Sequence, residues 1–307
     1  MESAIAFKLC SRVRSMGRNM AERMGAIPKS RTMTDKAFFD YSALITEKLG
    51  IRMPVAKKIM LQSRLAKRLR ALGIGSYEEY FDYIQSTGGK DREFNNFINA
   101  VTTNKTDFFR EAKHFDYLVR MVLPDLFGKK EKNGKPINVW SVACSTGEEP
   151  YTLAMILEDY LAGRFAVSYS ILATDISTKV LETAQLGIYE EDRLETTPPD
   201  FKRRFFLRSR DRTSNKVRVV PELRAKVTCR WLNLMHDDYE INQKMDIIFC
   251  RNVMIYFERG TQDAILHNIC KHLDGGGYLF MGNSEALTNA GRFRLIQAAP
   301  TIYRKES

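Results

Sequence analysis

The chain has 307 residues, of which 44% are hydrophobic and 28% charged. That is an ordinary globular composition, and it excludes a disordered chain, a collagen-like fibre and a disulfide miniprotein. The length allows about two domains, no apolar run approaches the roughly 20 residues of a membrane span, and a net charge of +11 asks for an anionic partner.

In chain order, residues 1–33 carry seven Lys/Arg against two Glu and read as a disordered basic tail. They are either an extension or lie upstream of a start at Met20, Met24 or Met33. Thr34-Asp35 is a helix N-cap. Helical patterns follow at 36–49, 54–72, 76–87, 91–101 and 107–122, punctuated by Gly50, Gly73, Gly75 and Gly88-Gly89. Residues 34–112 are therefore expected to form a small all-α domain. Within it, 54–72 holds Lys57, Lys58, Arg64, Lys67, Arg68 and Arg70 and no acid. On a helical wheel Lys57, Arg64 and Arg68 share one line, with Lys67 and Arg70 beside it. Ile59, Leu61, Leu65, Ala66, Leu69 and Leu72 take the other side. A solvated face is the ordinary reading of such a run, but charges of one sign repel and favour an acidic partner.

After a charged loop at 128–136 the rhythm changes. Strands at 137–143, 169–174, 246–250 and 277–281 alternate with helices at 149–163, 178–187 and 258–273, and a hairpin closes the chain at 293–303. Such alternation gives a parallel sheet covered on both faces, whose ligands bind at the carboxyl ends of the strands. Between 188 and 232 the alternation breaks. A short helix at 198–204 and short strands at 205–208, 217–220 and 227–231 read as a small antiparallel β insertion. The fold class expected is α/β: a Rossmann-like domain over 113–307 with this insertion, preceded by the all-α domain.

Five cysteines, Cys10, Cys144, Cys229, Cys250 and Cys270, are an odd set without CxxC spacing. Neither a disulfide framework nor a zinc site is expected, and a reduced, cytoplasmic setting is. His267 and His272 have no third ligand near them, so no metal is expected.

The first strand runs into Ala143-Cys144-Ser145-Thr146-Gly147-Glu148-Glu149-Pro150. Small residues allow a tight turn and close approach to a ligand, but GxGxxG is absent. Two glutamates at a helix N-terminus oppose a pyrophosphate and favour a cationic ligand. S-adenosylmethionine, with a sulfonium, an ammonium and no phosphate, fits; the plainer reading is that the glutamates complement the helix dipole. Asp175, ending the second strand, can bind the two ribose hydroxyls or cap the following helix. Asn233 and Asn252, each after a strand, can hydrogen-bond the adenine or the methionine end.

The stretches TTNKTDFFRE (102–111), SVACSTGEEPYTLAM (141–155), ATDIS (173–177), GIY (187–189), VVPELRAKVTCRWLNL (219–234), DIIFCRNVMIYF (246–257) and GGGYLFMGNSE (275–285) together resemble the CheR family of chemotaxis receptor methyltransferases. The match covers 34–304 in motif order. The resemblance implies methyl transfer from S-adenosylmethionine to receptor glutamates, giving glutamyl methyl esters and S-adenosylhomocysteine. It implies that Asn104, Thr106 and Arg110 line the cofactor, with Glu149 at the methionine end and Asp175 at the ribose. Asn233, Leu234, Arg251 and Asn252 would complete the pocket, and Arg110 and Tyr256 would flank the reacting methyl. The partner implied is a methyl-accepting chemoreceptor, an acidic helical bundle, docked on the basic face of Lys57, Arg64, Lys67, Arg68 and Arg70. A monomer without nucleic acid or membrane insertion is expected.

A branch of the family tethers to a C-terminal receptor pentapeptide through a Gly-rich loop in the insertion. Here the loop at 209–215 has no glycine, so that tether is not expected. Two other functions fit the charge: a nucleic-acid methyltransferase, which lacks its usual [DN]PP[YFW] motif here, and a non-catalytic S-adenosylmethionine-binding regulator.

Overall fold

The computed structural model describes residues 32–164, 167–211 and 213–307, without the side chains of Lys90 and Asp91. The basic tail up to residue 31, and Cys10 with it, lies outside the described residues. The chain divides into two units, one built from 32–40 and Val55–Ala100, the other from Tyr41–Pro54 and Val101–Ser307.

The first unit is helical, with only Asp35–Asp40 of its first helix counted in it. Helix α1 (Asp35–Leu49) begins where the Thr34 hydroxyl accepts the Ala37 N–H at 3.1 Å, the N-cap read from the sequence. A 3₁₀ turn at Val55–Lys57 leads into α2 (Lys58–Leu72), and α3 (Tyr77–Gln85) and α4 (Thr87–Val101) complete it. Gly88-Gly89 does not separate helices as expected; both lie in the first turn of α4. A Cβ on Gly89 would stand 1.7 Å from the Tyr83 carbonyl oxygen, so glycine there permits a close backbone approach to α3. Leu61, Leu65 and Leu69 are buried as the wheel implies, but Ile59 is 80% exposed. The outward face of α2 therefore carries Ile59, Ser63, Lys67 and Arg70.

In the second unit the expected helix at 107–122 is displaced. Residues 102–111 form an irregular strap in which Phe109 and Glu111 have φ of 54° and 60°. Helix starts only at α5 (Ala112–Tyr117), passes through a π-helical turn at Leu118–Val122 and continues as α6 (Leu123–Asn133). Positive φ breaks the helix at Phe109 and Glu111, and side chains from elsewhere take the strap's carbonyls. Asn104 O accepts Ser145 Oγ at 3.0 Å, Thr106 O accepts Arg193 at 2.5 Å, Phe108 O accepts Thr196 Oγ1 at 2.6 Å and Arg110 O accepts Arg251 at 2.6 Å. The stretch expected as a charged loop is helical up to Asn133, where Lys129–Asp125 (2.9 Å) and Lys130–Asp246 (2.7 Å) give its charges partners.

The sheet contains β1 (Ile137–Val142), β2 (Tyr169–Asp175), β6 (Val227–Trp231), β7 (Met245–Cys250), β8 (Leu273–Met281), β9 (Leu295–Ala299) and β10 (Ile302–Lys305). Their order is β6-β2-β1-β7-β8-β10-β9, parallel from β6 to β8 and antiparallel through β10 and β9. Every residue of β7 is buried, the pattern of a central strand covered on both faces. Helices α7 (Glu148–Leu161), α8 (Thr178–Leu186) and α11 (Arg259–His272) make the crossovers.

A second sheet of β3 (Ile188–Glu190), β5 (Lys216–Val219) and β4 (Phe206–Arg208) is antiparallel. Helices α9 (Pro199–Phe205) and α10 (Pro221–Arg224) flank it. The expected third strand of this insertion, 227–231, belongs elsewhere: it is β6, paired in parallel with β2 from Ile171↔Val227 to Asp175↔Trp231. The short β3 takes its place. Alternation of apolar and polar residues marks a strand but not the sheet it joins.

Candidate cofactor site

The carboxyl ends of β6, β2, β1, β7 and β8 lie along one edge of the sheet, and the candidate residues follow them. The turn after β1 winds through Ala143, Ser145 and Gly147 at φ of 53°, 51° and 97°. A Cβ on Gly147 would lie 2.8 Å from Ala184 Cβ and 2.9 Å from the Tyr189 hydroxyl. Gly147→Ala is therefore expected to cost about 3 kcal/mol through strain and overpacking. Calorimetry should read this as a fall in Tm of about 10 °C, and an unchanged Tm would show that the turn can relax.

The two glutamates after this turn diverge. Glu148, 1% exposed, accepts the Thr146 hydroxyl at 2.6 Å and Arg193 at 2.6 Å. Glu149 accepts the Ser141 hydroxyl at 2.7 Å and faces Arg251 Nε at 3.2 Å. Burial pushes its carboxyl above the usual range, against the opposing pull of Arg251 and Ser141. Each of the two glutamates thus has an arginine beside it. Sequence reasoning missed Arg193, whose contacts are with residues 45 and 87 positions away.

Asp175 is buried, and its carboxylate accepts the N–H of Ser145 and of Ser177, each at 2.9 Å. Burial raises its pKa and these backbone donors oppose the rise. The helix cap is Ser177 instead, which accepts the Val180 N–H. Ser145 thus ties together the strap at Asn104, the β1 turn and the end of β2. Thr106 is buried in the strap, and Arg110 donates to Lys105 O at 2.9 Å.

Arg251, with 2% of its side chain exposed, joins the strap through Arg110 O, approaches Glu111 at 3.6 Å, and lies over the Phe115 and Phe249 rings at 5.3 and 5.6 Å. Its Nη1 is buried without a hydrogen-bond partner among the described residues. Such an atom costs free energy unless something else meets it. Asn252, at φ 57°, donates to Glu111 at 3.2 Å. Glu285 was not singled out as a site residue. Its buried carboxylate accepts the N–H of Asn252 (2.6 Å), Gly282 (2.9 Å) and Ile255 (3.1 Å). That fixes the loop leading to Tyr256, whose carbonyl accepts the Arg52 N–H at 2.8 Å. The GNSE tetrapeptide is its sequence signal, since a Cβ on Gly282 would sit 2.5 Å from Glu285 Oε2.

Two sets of bonds therefore meet the strap: Asn104 O with Ser145 and Asp175, and Arg110 O and Glu111 with Arg251, Glu149 and Asn252. Asn233 lies outside these bonds: its amide donates to Lys48 O at 2.9 Å and accepts the Met235 N–H at 3.0 Å. Leu234 is half-buried against the core. Of the basic residues on α2, Arg68 does not present its charge to a partner as expected. It makes a two-bond pair with Glu93, at 2.7 and 2.8 Å, and Tyr80 and Asn96 donate to the same carboxylate. It lies on the flank of the helix, where it reaches α4. Lys67 and Arg70 are exposed; Lys57 and Arg64 are half-buried.

This fold, with Glu148 and Glu149 at the turn after β1 where a phosphate would be repelled, fits an S-adenosylmethionine-dependent methyltransferase. The orphaned Arg251 Nη1 suits the cofactor's carboxylate, and Glu149 and Asp175 suit its ammonium and ribose. Comparison with known proteins narrows the class. The family model described as "CheR methyltransferase, SAM binding domain" matches residues 104–302, and "CheR methyltransferase, all-alpha domain" matches 36–102. The chain is 42% identical over 254 residues to chemotaxis protein methyltransferase 2 of Pseudomonas aeruginosa, covering 83% of this chain and 87% of that protein. It is 38% identical over 271 residues to the chemotaxis protein methyltransferase of Escherichia coli, covering 88% and 91%, and 36% identical over 264 residues to that of Borreliella burgdorferi, covering 85% and 91%. The chain belongs to the CheR methyltransferase family. Its activity is S-adenosylmethionine-dependent methylation of glutamate side chains on chemoreceptors. Among the described residues no helix is long and apolar enough to cross a membrane.

Proposed function

We propose that Glu149 holds the ammonium of S-adenosylmethionine, Asp175 its ribose, and that Asn104, Thr106, Asn233, Leu234, Arg251 and Asn252 enclose the rest. When bound, the cofactor supplies a methyl group made electrophilic by its sulfonium. Arg110 and Tyr256 flank that methyl and orient the incoming carboxylate. A glutamate side chain with a pKa of about 4.3 is already ionised at pH 7, so transfer needs no general base; alignment and exclusion of water are the tasks left to the chain. What supports this reading is that Ser145 ties one end of the strap to β1 and β2, and Glu111 ties the other to the end of β7.

The receptor docks on the exposed face of α2. Arg68 is engaged with Glu93, so Lys67 and Arg70, with Lys57 and Arg64 on the flank, meet the acidic helices. The reaction takes place in the cytoplasm, and the turn at 209–215 forms no pentapeptide tether. A receptor C-terminal pentapeptide bound at micromolar affinity would overturn that last statement. The test of the whole uses labelled S-adenosylmethionine and receptor-bearing membranes. Alkali-labile label on a receptor-sized band, released as methanol, is the expected result. Cofactor binding without transfer would favour the non-catalytic regulator. Lys67→Glu/Arg70→Glu should raise KM for receptor about tenfold or more and spare kcat, and an unaltered KM would remove α2 from docking.

A further inference from the structure

The strap at 102–111 has almost no regular structure of its own, yet it carries three residues of the proposed cofactor site. Side chains outside it hold it down, among them Arg251, which takes Arg110 O at 2.6 Å. Ser145 and Thr152, on the turn and helix after β1, take Asn104 O at 3.0 Å and the Phe109 N–H at 3.1 Å. Thr196 and Arg193, in the β insertion, take Phe108 O at 2.6 Å and Thr106 O at 2.5 Å. Among these side chains Arg193 ties the insertion to the first turn of α7. Its guanidinium also bonds Glu148 Oε1 at 2.6 Å and approaches Asp107 Oδ1 at 3.4 Å. It therefore joins three separate parts of the chain: the strap, the first turn of α7 and the insertion. Phe108, fully buried, adds an aromatic contact in the same place, edge-on to Tyr189 and Phe206 of the insertion sheet at 5.1 and 5.4 Å.

We infer that Arg193 is a positioning residue for the cofactor site, and that through it the β insertion sets how firmly the strap closes on the cofactor. This rests on the reading that Asn104, Thr106 and Arg110 face the cofactor. The physical case is one of geometry and charge. A planar guanidinium can serve a carbonyl and a carboxylate at fixed angles. Glu148, buried in the first turn of α7, gives it an anchor. An irregular segment without such an anchor visits many backbone states, and the apparent dissociation constant rises in inverse proportion to the fraction of time the segment is competent to bind. If loss of Arg193 leaves the strap in place one-tenth of the time, cofactor affinity falls about tenfold. Saturating cofactor restores the closed strap, so kcat at saturation is largely kept.

The experiment measures S-adenosylhomocysteine affinity by calorimetry, KM for S-adenosylmethionine, and hydrogen exchange of the 104–110 amides. It uses the full chain and its Arg193→Met, Arg193→Lys and Asn104→Ala variants. The expected result for Arg193→Met is faster exchange confined to the strap, about tenfold weaker binding, raised KM and retained kcat. Arg193→Lys, which keeps the charge but not the fork, should recover part of the affinity. If Arg193→Met leaves Glu148 unpaired and fails to fold, Arg193→Met/Glu148→Gln removes the buried charge and is measured instead. A lowered kcat and Tm at unchanged KM would make Arg193 merely structural and overturn the inference. Unchanged affinity in the Arg193 variants beside weakened binding in Asn104→Ala would overturn it while leaving the site reading intact. Unchanged affinity in all variants, with exchange in the strap accelerated, would show that the strap does not touch the cofactor and remove the basis of both.

Discussion

Replacing Glu149 with glutamine should weaken S-adenosylmethionine binding about a hundredfold while moving Tm by no more than a few degrees. The substitution keeps the shape and the bond from the Ser141 hydroxyl but removes the negative charge. A hydrogen bond to a charged group contributes about 1.5–3 kcal/mol, or roughly ten- to a hundred-and-fifty-fold in affinity. Arg251 keeps Glu111 beside it at 3.6 Å, which limits the damage to the fold. The same carboxylate gives the binding a pH dependence. Burial raises the Glu149 pKa in the free protein, and a bound cation favours the ionised form. Binding therefore releases a proton, and affinity should fall as pH drops, starting above the ordinary carboxylate range. Titration calorimetry in buffers of different ionisation enthalpy measures both effects. Equal affinity for wild type and Glu149→Gln at pH 7.5 would place the cofactor's ammonium elsewhere.

Arg68→Met should destabilise the helical unit by about 3 kcal/mol, the cost of breaking one side of a largely buried ion pair. Glu93, 2% exposed, would keep only Tyr80 and Asn96 as donors. Burial alone raises the Glu93 pKa, but the bonds from Arg68, Asn96 and Tyr80 outweigh it and hold the group below its usual value. A carboxyl depressed in the folded state gives stability that is present above its unfolded pKa and lost as pH falls through the folded one. The helical unit should accordingly lose stability below about pH 4.5 in the wild type, with a weaker acid dependence in Arg68→Met. Urea titration followed by circular dichroism would measure this. A variant as stable as wild type would mean the pair contributes little, and would return Arg68 to the docking face.

The sequence reveals what local periodicity encodes and misses what distant residues impose. The β1 turn, the Asp175 position and the alternation of strands and helices are legible because each depends on neighbours within a few positions. Residues 107–111 look helical for the same reason; nothing nearby says that Thr196 and Arg251 will claim the carbonyls of Phe108 and Arg110. Strand 227–231 carries the right alternation for a strand, but its pairing with β2 is a fact of topology. Arg68 sits on a basic line of the wheel, and only the fold puts Glu93 within its reach. The cofactor loop and the Arg251-Asn252 segment are legible from their places after strands, whereas the role of Arg193, which holds other groups in place, stands out only in three dimensions.

The burial of Phe108 between Tyr189 and Phe206 also limits how the parts of this protein can be exchanged. A chimera that takes its insertion from a relative must supply a surface shaped for the ring at position 108, together with donors where Arg193 and Thr196 now stand. Without them the graft would fold its own small sheet and still leave the strap loose. The turn at 209–215 carries no such requirement, because Asp211 organises it locally through the Thr213 N–H and hydroxyl. Recombination among family members should therefore tolerate breakpoints within that turn, and penalise those that part the strap from the strands it packs against.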